Sequence, residues 1–409
     1  MPQSQTRSDA QAEPAAERIA TLDLVRGLAV LGILAVNADG FAVTLSAYGN
    51  PGLWPFPETG VSAAAQWIVD ALFHQKFISL FSMLFGASLF LVGGERGDVR
   101  RGRLLRRRLS WLVVIALIHG LAIWWGDVLL LYAWSGLFVM LARSWRPAVL
   151  FRVGLVLFGL FSLVQIAGPL SLQFAPADVQ ARIAAQMTPA AAQIAQVKAD
   201  IADAAGSLAG AYRQNFKAWT QLQLSSLTIF VFPTVGLMMI GLGLFKTGFL
   251  SGALPARPYR RVAAAGAAAL VVVCGLTWTD DVARMEMMWT AGVEGLLNPL
   301  IGLAYASVLI LIWKAGRAGA LRPLAAAGRM ALTNYLAQSI IMTSLFYGGR
   351  GLGLMGQVDR PMLWTVVIGV WALQLTWSPL WLSRFQMGPA EWLWRSLTHG
   401  RRLPLRKPG

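Results

Sequence analysis

Few residues in this 409-residue chain are able to do chemistry, and several of them stand where they are costly to place. His119 lies inside the apolar part of RRRLSWLVVIALIHGLAIWWGD, residues 106–127. At a rise of about 1.5 Å per helical residue it sits roughly 16 Å from Arg108, past the middle of a bilayer core about 30 Å thick. An imidazole, with an unperturbed pKa near about 6.5, suits proton transfer, so His119 is a candidate general base toward a hydroxyl or an amine. Asp127 is placed to orient that ring, although it also precedes a helix and suits an N-cap. Asn37 and Lys76 are candidates to stabilise an oxyanion. Glu294, with Asn298 four residues on, is a carboxylate inside another apolar run. It belongs either to a functional site in the membrane or to the interface.

Two further groups stand apart from His119. Asp70 and His74 are four residues apart, so a carboxylate can meet an imidazole on one helix face, and a solvated helix start serves them equally well. At the opposite end of the runs lie Asp23, Arg26, Arg329, Thr333 and Asn334, with Glu391 and Arg395 close by in the tail. Arg26 and Arg329 suit the phosphates of a charged donor through charge-assisted hydrogen bonds, and Asp23 and Asn334 belong to the same layer. Asp23 and Arg26 also make a simple ion pair at a helix start.

The elements that must hold these groups are membrane helices. The chain is 56% hydrophobic and 13% charged, with 17 Trp, about half the charged fraction of a soluble domain. A net charge of +16 would suit nucleic acid, but the basic residues gather in short segments between alternate apolar runs, as the positive-inside bias requires. No nucleic-acid partner is expected. The single Cys274 and three histidines offer neither a disulfide framework nor a metal cage, so no metal is expected.

Counting runs of spanning length predicts an all-α polytopic bundle of about ten spans, with both termini cytoplasmic. Residues 1–18 read as a disordered tail, 19–400 as the bundle and 401–409 as a basic tail. Residues 171–221, rich in Ala and Gln with apolar positions at helical spacing, read as an external helical hairpin. The polar residues within the spans then fall into an outer and an inner layer. Localisation follows as a multi-pass protein whose first partner is the lipid bilayer; association into a homo-oligomer is compatible.

RIATLDLVRGLAVLGILAVN, KFISLFSMLFG, RRRLSWLVVIALIHGLAIWWGDVLLLYA and PLAAAGRMALTNYLAQS through GPAEWLWRSLTHG together resemble the YeiB family of bacterial inner-membrane proteins, in order and over nearly the whole chain. Through the LDxxRG first span that family resembles transmembrane acyltransferases such as heparan-α-glucosaminide N-acetyltransferase. The resemblance implies acyl transfer, with acetyl-CoA or another acyl-CoA as cytoplasmic donor substrate and an extracytoplasmic sugar or envelope component as acceptor. Those acetyltransferases carry their histidine ahead of the second span, where Gly52–Trp67 has none. Either His119 or His74 takes its place, or the chemistry differs. The competing class is a proton-coupled secondary transporter of a small solute, which would also use His119, Glu294 and Lys76. Against it, no internal repeat is visible in the sequence.

The topology has a direct check. A cysteine at Ser207 is expected to react with an impermeant maleimide from outside intact cells, and one at Gly102 is not. The reverse pattern would put His119 in the cytoplasmic half and dissolve the two layers.

Overall fold

The computed structural model describes residues 20–57, 60–283 and 289–408. Apolar runs in lipid can satisfy their backbone only as helices or closed barrels. Among the described residues the outcome is helical, with one isolated bridge between Phe385 and Arg406. In order the helices are α1 Ala20–Ala42, α2 Leu45–Tyr48, α3 Val61–Leu72, α4 Lys76–Gly93, α5 Val99–Ala122 and α6 Leu129–Leu141. There follow α7 Pro147–Leu172, α8 Ala177–Met187, α9 Ala191–Gly206, α10 Leu208–Ser225, a π-helical turn Ser226–Phe230 and α11 Val231–Lys246. The chain ends with α12 Ala256–Asp281, α13 Thr290–Lys314, α14 Arg322–Arg329, α15 Ala331–Phe346, α16 Arg360–Arg384 and α17 Pro389–His399.

Among the described residues, seven helical stretches are long and apolar enough to cross a membrane: α1, α3–α4, α7, α10–α11, α12, α13 and α16. The chain is therefore a polytopic helix bundle. The other three runs read as spans have local reasons to differ. α5 begins with arginines at 100, 101, 103, 106, 107 and 108; α6 has only 13 residues; α14 and α15 are divided at Met330.

Two of the long stretches are irregular. The second run breaks between α3 and α4, where Gln75 takes a left-handed conformation at φ 59°. Lys76 closes the break by donating its Nζ to the Asp70 carbonyl at 2.6 Å. The insertion is three helices, α8 to α10, and not a two-helix hairpin. Pro189 interrupts it once and Ser207 caps α10 by accepting from the Gly210 N–H at 3.0 Å. α10 then runs through the π turn into α11, so no boundary falls at Gln221.

Small residues let the helices close up, since van der Waals contact rather than a hydrophobic force drives association in lipid. On α1, Gly27 lies against the Leu324 carbonyl, and Gly328 of α14 lies against the Asp23 carbonyl. Gly86 of α4 and Gly241 of α11 make the same mutual approach, to the Met238 and Met83 carbonyls. Polar stitches then lock α1, α15 and α16 together. The Gln338 amide donates to the Val30 carbonyl at 3.1 Å and to Gln374 Oε1 at 2.9 Å, and Gln374 donates to the Asn334 carbonyl at 2.9 Å.

Any side chain at Gly328 meets backbone that cannot step aside. Gly328→Val is expected to cost at least the ~1–3 kcal/mol of an overpacked core and to lower the melting temperature in detergent. Gly275→Ala, on α12 with open space around it, is expected to leave the melt unchanged.

Candidate functional site

α5 stops where its last turn gives way to Gly126-Asp127. The N–H groups of Ile123 and Trp124 both donate to the His119 carbonyl, at 2.8 and 2.9 Å, which closes the helix. Asp127 makes two contacts at this turn. Its Oδ2 accepts from the Leu130 N–H at 2.9 Å, capping α6, and its Oδ1 lies 2.9 Å from His119 Nδ1. The other ring nitrogen, Nε2, lies 2.9 Å from the Ser339 hydroxyl of α15. His119 is 1% exposed and Asp127 3%. With Nδ1–H donating to the carboxylate, the bare Nε2 is left to accept from the hydroxyl, the linkage of a serine–histidine–aspartate set. Ser339 is absent from the reading of the sequence. Its only signal is a place one turn beyond Tyr335, on a helix already rich in polar side chains.

Asp127 also faces a cavity of about 380 Å³. Asn37 of α1, His74 and Gln75 at the broken second run, and Trp124 to Asp127 form its polar end. α4, α7, the π turn, α11 and α13 supply most of the remaining wall, with single or paired residues from α1, α2, α6 and α10. His74 Nδ1 is 3.6 Å from Asp70 Oδ1, and the side chain is 42% exposed. Thus three outer-layer residues, Asn37, His74 and Asp127, meet on one cavity, whereas His119 stands behind Asp127 with both nitrogens engaged. Lys76 is fully buried and off the cavity wall; Glu294 and Asp70 are its charge neighbours. Glu294 is buried on α13 between the wall residues Gly292 and Gly295.

The inner-layer residues gather at the arginine-rich end of the bundle, and none of Asp23, Arg26, Arg329 and Asn334 lines the cavity. Arg26 Nη1 pairs with Asp23 Oδ1 at 2.8 Å, and Arg329 donates to the Gln386 carbonyl at 3.1 Å. Asn334 is a structural hub. It donates to the Ala327 carbonyl at 3.0 Å and to Ser378 at 3.1 Å, and accepts from the Trp377 indole at 3.0 Å.

Glu391 of α17 accepts from the Leu332 and Thr333 N–H groups, at 2.7 and 3.1 Å, and so caps α15 from a separate element. Burial pushes its carboxyl above the usual range. Arg108 stacks on Trp394, with the guanidinium carbon 3.7 Å from the ring centroid, and Arg26 and Arg395 are its charge neighbours. Three elements thereby bring the guanidinium groups of Arg26, Arg108 and Arg395 near one another, with Glu391 beside Arg108. In the sequence Arg108 reads only as a topology marker.

Residues 244–401 match the family model described as "Protein of unknown function (DUF418)". Over 402 residues the chain is 35% identical to "Uncharacterized protein YeiB" of Escherichia coli (strain K12), covering 93% of this chain and 96% of that protein. It is 31% identical over 399 residues to "Uncharacterized protein YxaH" of Bacillus subtilis (strain 168), covering 94% of each. It is also 26% identical over 400 residues to "Uncharacterized 39.9 kDa protein in amylase 3'region" of Bacillus acidopullulyticus, covering 95% of this chain and 96% of that one. No solved structure matches. The chain belongs to the YeiB family.

The buried linkage predicts an order of stabilities. Ser339→Ala leaves one buried ring nitrogen unpaired, and a loss of about 1–3 kcal/mol is expected. Asp127→Ala removes the α6 cap as well, which adds roughly 0.5–2 kcal/mol. Chemical denaturation in mild detergent measures both; a Ser339→Ala variant less stable than Asp127→Ala would contradict this order.

Proposed function

We propose that this YeiB-family chain is an acyltransferase of the bacterial inner membrane. It moves an acyl group, acetyl in the simplest case, from cytoplasmic acyl-CoA to a hydroxyl or amine on an extracytoplasmic sugar or envelope component. One observation carries the reading: an imidazole, a carboxylate and a carboxamide from separate elements (His74, Asp127 and Asn37) converge on one cavity.

In that cavity His74 takes the proton of the acceptor hydroxyl on Nε2 while Asp70 faces Nδ1. The freed oxygen attacks the thioester carbonyl carbon. Asn37 faces the developing oxyanion, where preorganised donors act most strongly. The carbon–sulfur bond then breaks, and the CoA thiolate leaves with the proton held by His74. Asp127, fixed by the Leu130 N–H and by His119, accepts a hydrogen bond from the acceptor and orients it. His119, the base expected from depth alone, reaches the cavity only through Asp127 and acts as a positioning residue. At the arginine-rich end, Arg26, Arg108, Arg329 and Arg395 supply the charge that donor phosphates require.

A proton-coupled carrier is the second reading, and the broken α3–α4 run favours it. Discontinuous helices with buried charge beside the break are a feature of alternating-access sites.

Acetyl transfer from radiolabelled acetyl-CoA to envelope material, at matched expression, separates the possibilities. His74→Gln is expected to lose about 10²–10⁴ in turnover, the usual worth of a general base. His119→Gln is expected to lose less and to be rescued in part by raising acceptor concentration. A silent His74→Gln with an inactive His119→Gln would return the base to His119. Absence of transfer in wild type, together with proton-driven solute uptake by proteoliposomes, would establish the carrier.

A further inference from the structure

α7 and α11 cross most closely at Gly154 and Gly236, where a Cβ on either would lie within 2.8 Å of the other's carbonyl oxygen. Further along, both helices line the cavity, α7 with Phe158, Phe161 and Ser162 and α11 with Pro233, Thr234 and Leu237. Phe161 of α7 and Phe230 of the π turn remain in ring contact, with centroids 6.2 Å apart, and the wedge between the helices is part of the cavity. A π turn carries one extra residue per turn and recurs at functional sites. Here it supplies Ser226 and Phe230 to the cavity wall.

The surface on either side of this wedge is apolar and open. Leu163 and Val164 follow Phe161 at 58% and 67% exposure, and Leu227 and Ile229 precede Phe230 at 45% and 50%. In a membrane bundle these residues face hydrocarbon. The tryptophan-bearing end of the cavity is lined by aromatic rings. Tyr48 of α2 lies over Trp125 at 5.9 Å between centroids, and Trp125 lies against Trp124 at 5.3 Å. His74, Asn37 and Asp127 line the cavity from α1 and the two chain breaks; Phe158, Phe161 and Phe230 line it at the wedge, together with Ser162, Gln165 and Ser226.

Resting on the acyl-transfer reading, we infer that the acceptor is an amphiphile that enters sideways from the bilayer. Its hydrocarbon chain stays in the wedge between α7 and the π turn, and its hydroxyl- or amine-bearing head group reaches His74 and Asp127. A water-soluble sugar would gain nothing from the apolar wall at Phe158, Phe161 and Phe230. A lipid-linked sugar matches both ends of the cavity.

The test uses the full chain in nanodiscs and dodecyl glucoside carrying a photoreactive diazirine on the glucose ring, with labelled peptides mapped by mass spectrometry. Labelling is expected on the peptides that hold Asn37, His74 and Trp124–Asp127. Excess dodecyl glucoside should protect them, and the same concentration of glucose should not. Ser162→Trp, which fills the wedge, is expected to cut this labelling about ten-fold, equivalent to ~1.4 kcal/mol of binding. Ser162→Ala, which keeps the space open, is expected to preserve it and controls for folding. Label confined to lipid-facing residues, or protection by glucose equal to that by dodecyl glucoside, would overturn the inference. Labelling needs no acyl-CoA. Chain-dependent labelling without acetyl transfer would therefore remove the acyltransferase reading alone, and acetyl transfer to free glucose without chain-dependent labelling would remove the amphiphile alone.

Discussion

A helix that breaks inside a bilayer must find other partners for the amides and carbonyls it releases, because lipid offers none. The interruption between Leu72 and Lys76 meets that constraint within a few residues. Phe73 and His74 both donate to the Val69 carbonyl, the Lys76 N–H reaches the carbonyls of Phe73 and His74, and the Lys76 ammonium takes the Asp70 carbonyl. Tyr132 of α6 donates to the Ile78 carbonyl at 3.1 Å and holds α4 beside the break. Irregular backbone at this depth is tolerated where it lines a cavity, and Phe73, His74 and Gln75 all line the cavity. His74 reaches the cavity from within this interruption.

The same constraint explains why polar side chains are so heavily committed elsewhere. Gln338, Gln374 and Asn334 spend their amides on backbone carbonyls and on one another, which fixes α1, α15 and α16 as a unit. Glu391 caps the start of α15, and Ser339, further along that helix, meets His119. The arginine-rich end and the His119 linkage are thus joined by one helix of 16 residues. Its register is fixed at one end by a carboxylate and along its length by amides. A buried polar network of this kind rigidifies when fully satisfied and is costly when any member is lost.

Apolar run length, the arginine clusters and the Trp-Trp-Gly-Asp turn determine a polytopic helical bundle, and these were legible because hydrophobicity and charge placement act locally along the chain. The family motifs in order placed the chain in its family before any contact was known. The His119–Asp127 pair was legible too, since a helix end and a short turn bring residues 119 and 127 together without help from the rest of the chain. Ser339, 220 residues away from His119, was not. Nor was Glu391 as the cap of α15, Asn334 as a hub of hydrogen bonds, or Arg108 as a member of a guanidinium cluster. Each depends on which helix faces which, and that was decided by glycine crossings such as Gly27 with Gly328 and by amide stitches between distant segments. The break at Gln75 belongs with them. No glycine or proline marks it, and a left-handed glutamine is stable there only because Lys76 and the surrounding helices absorb the cost.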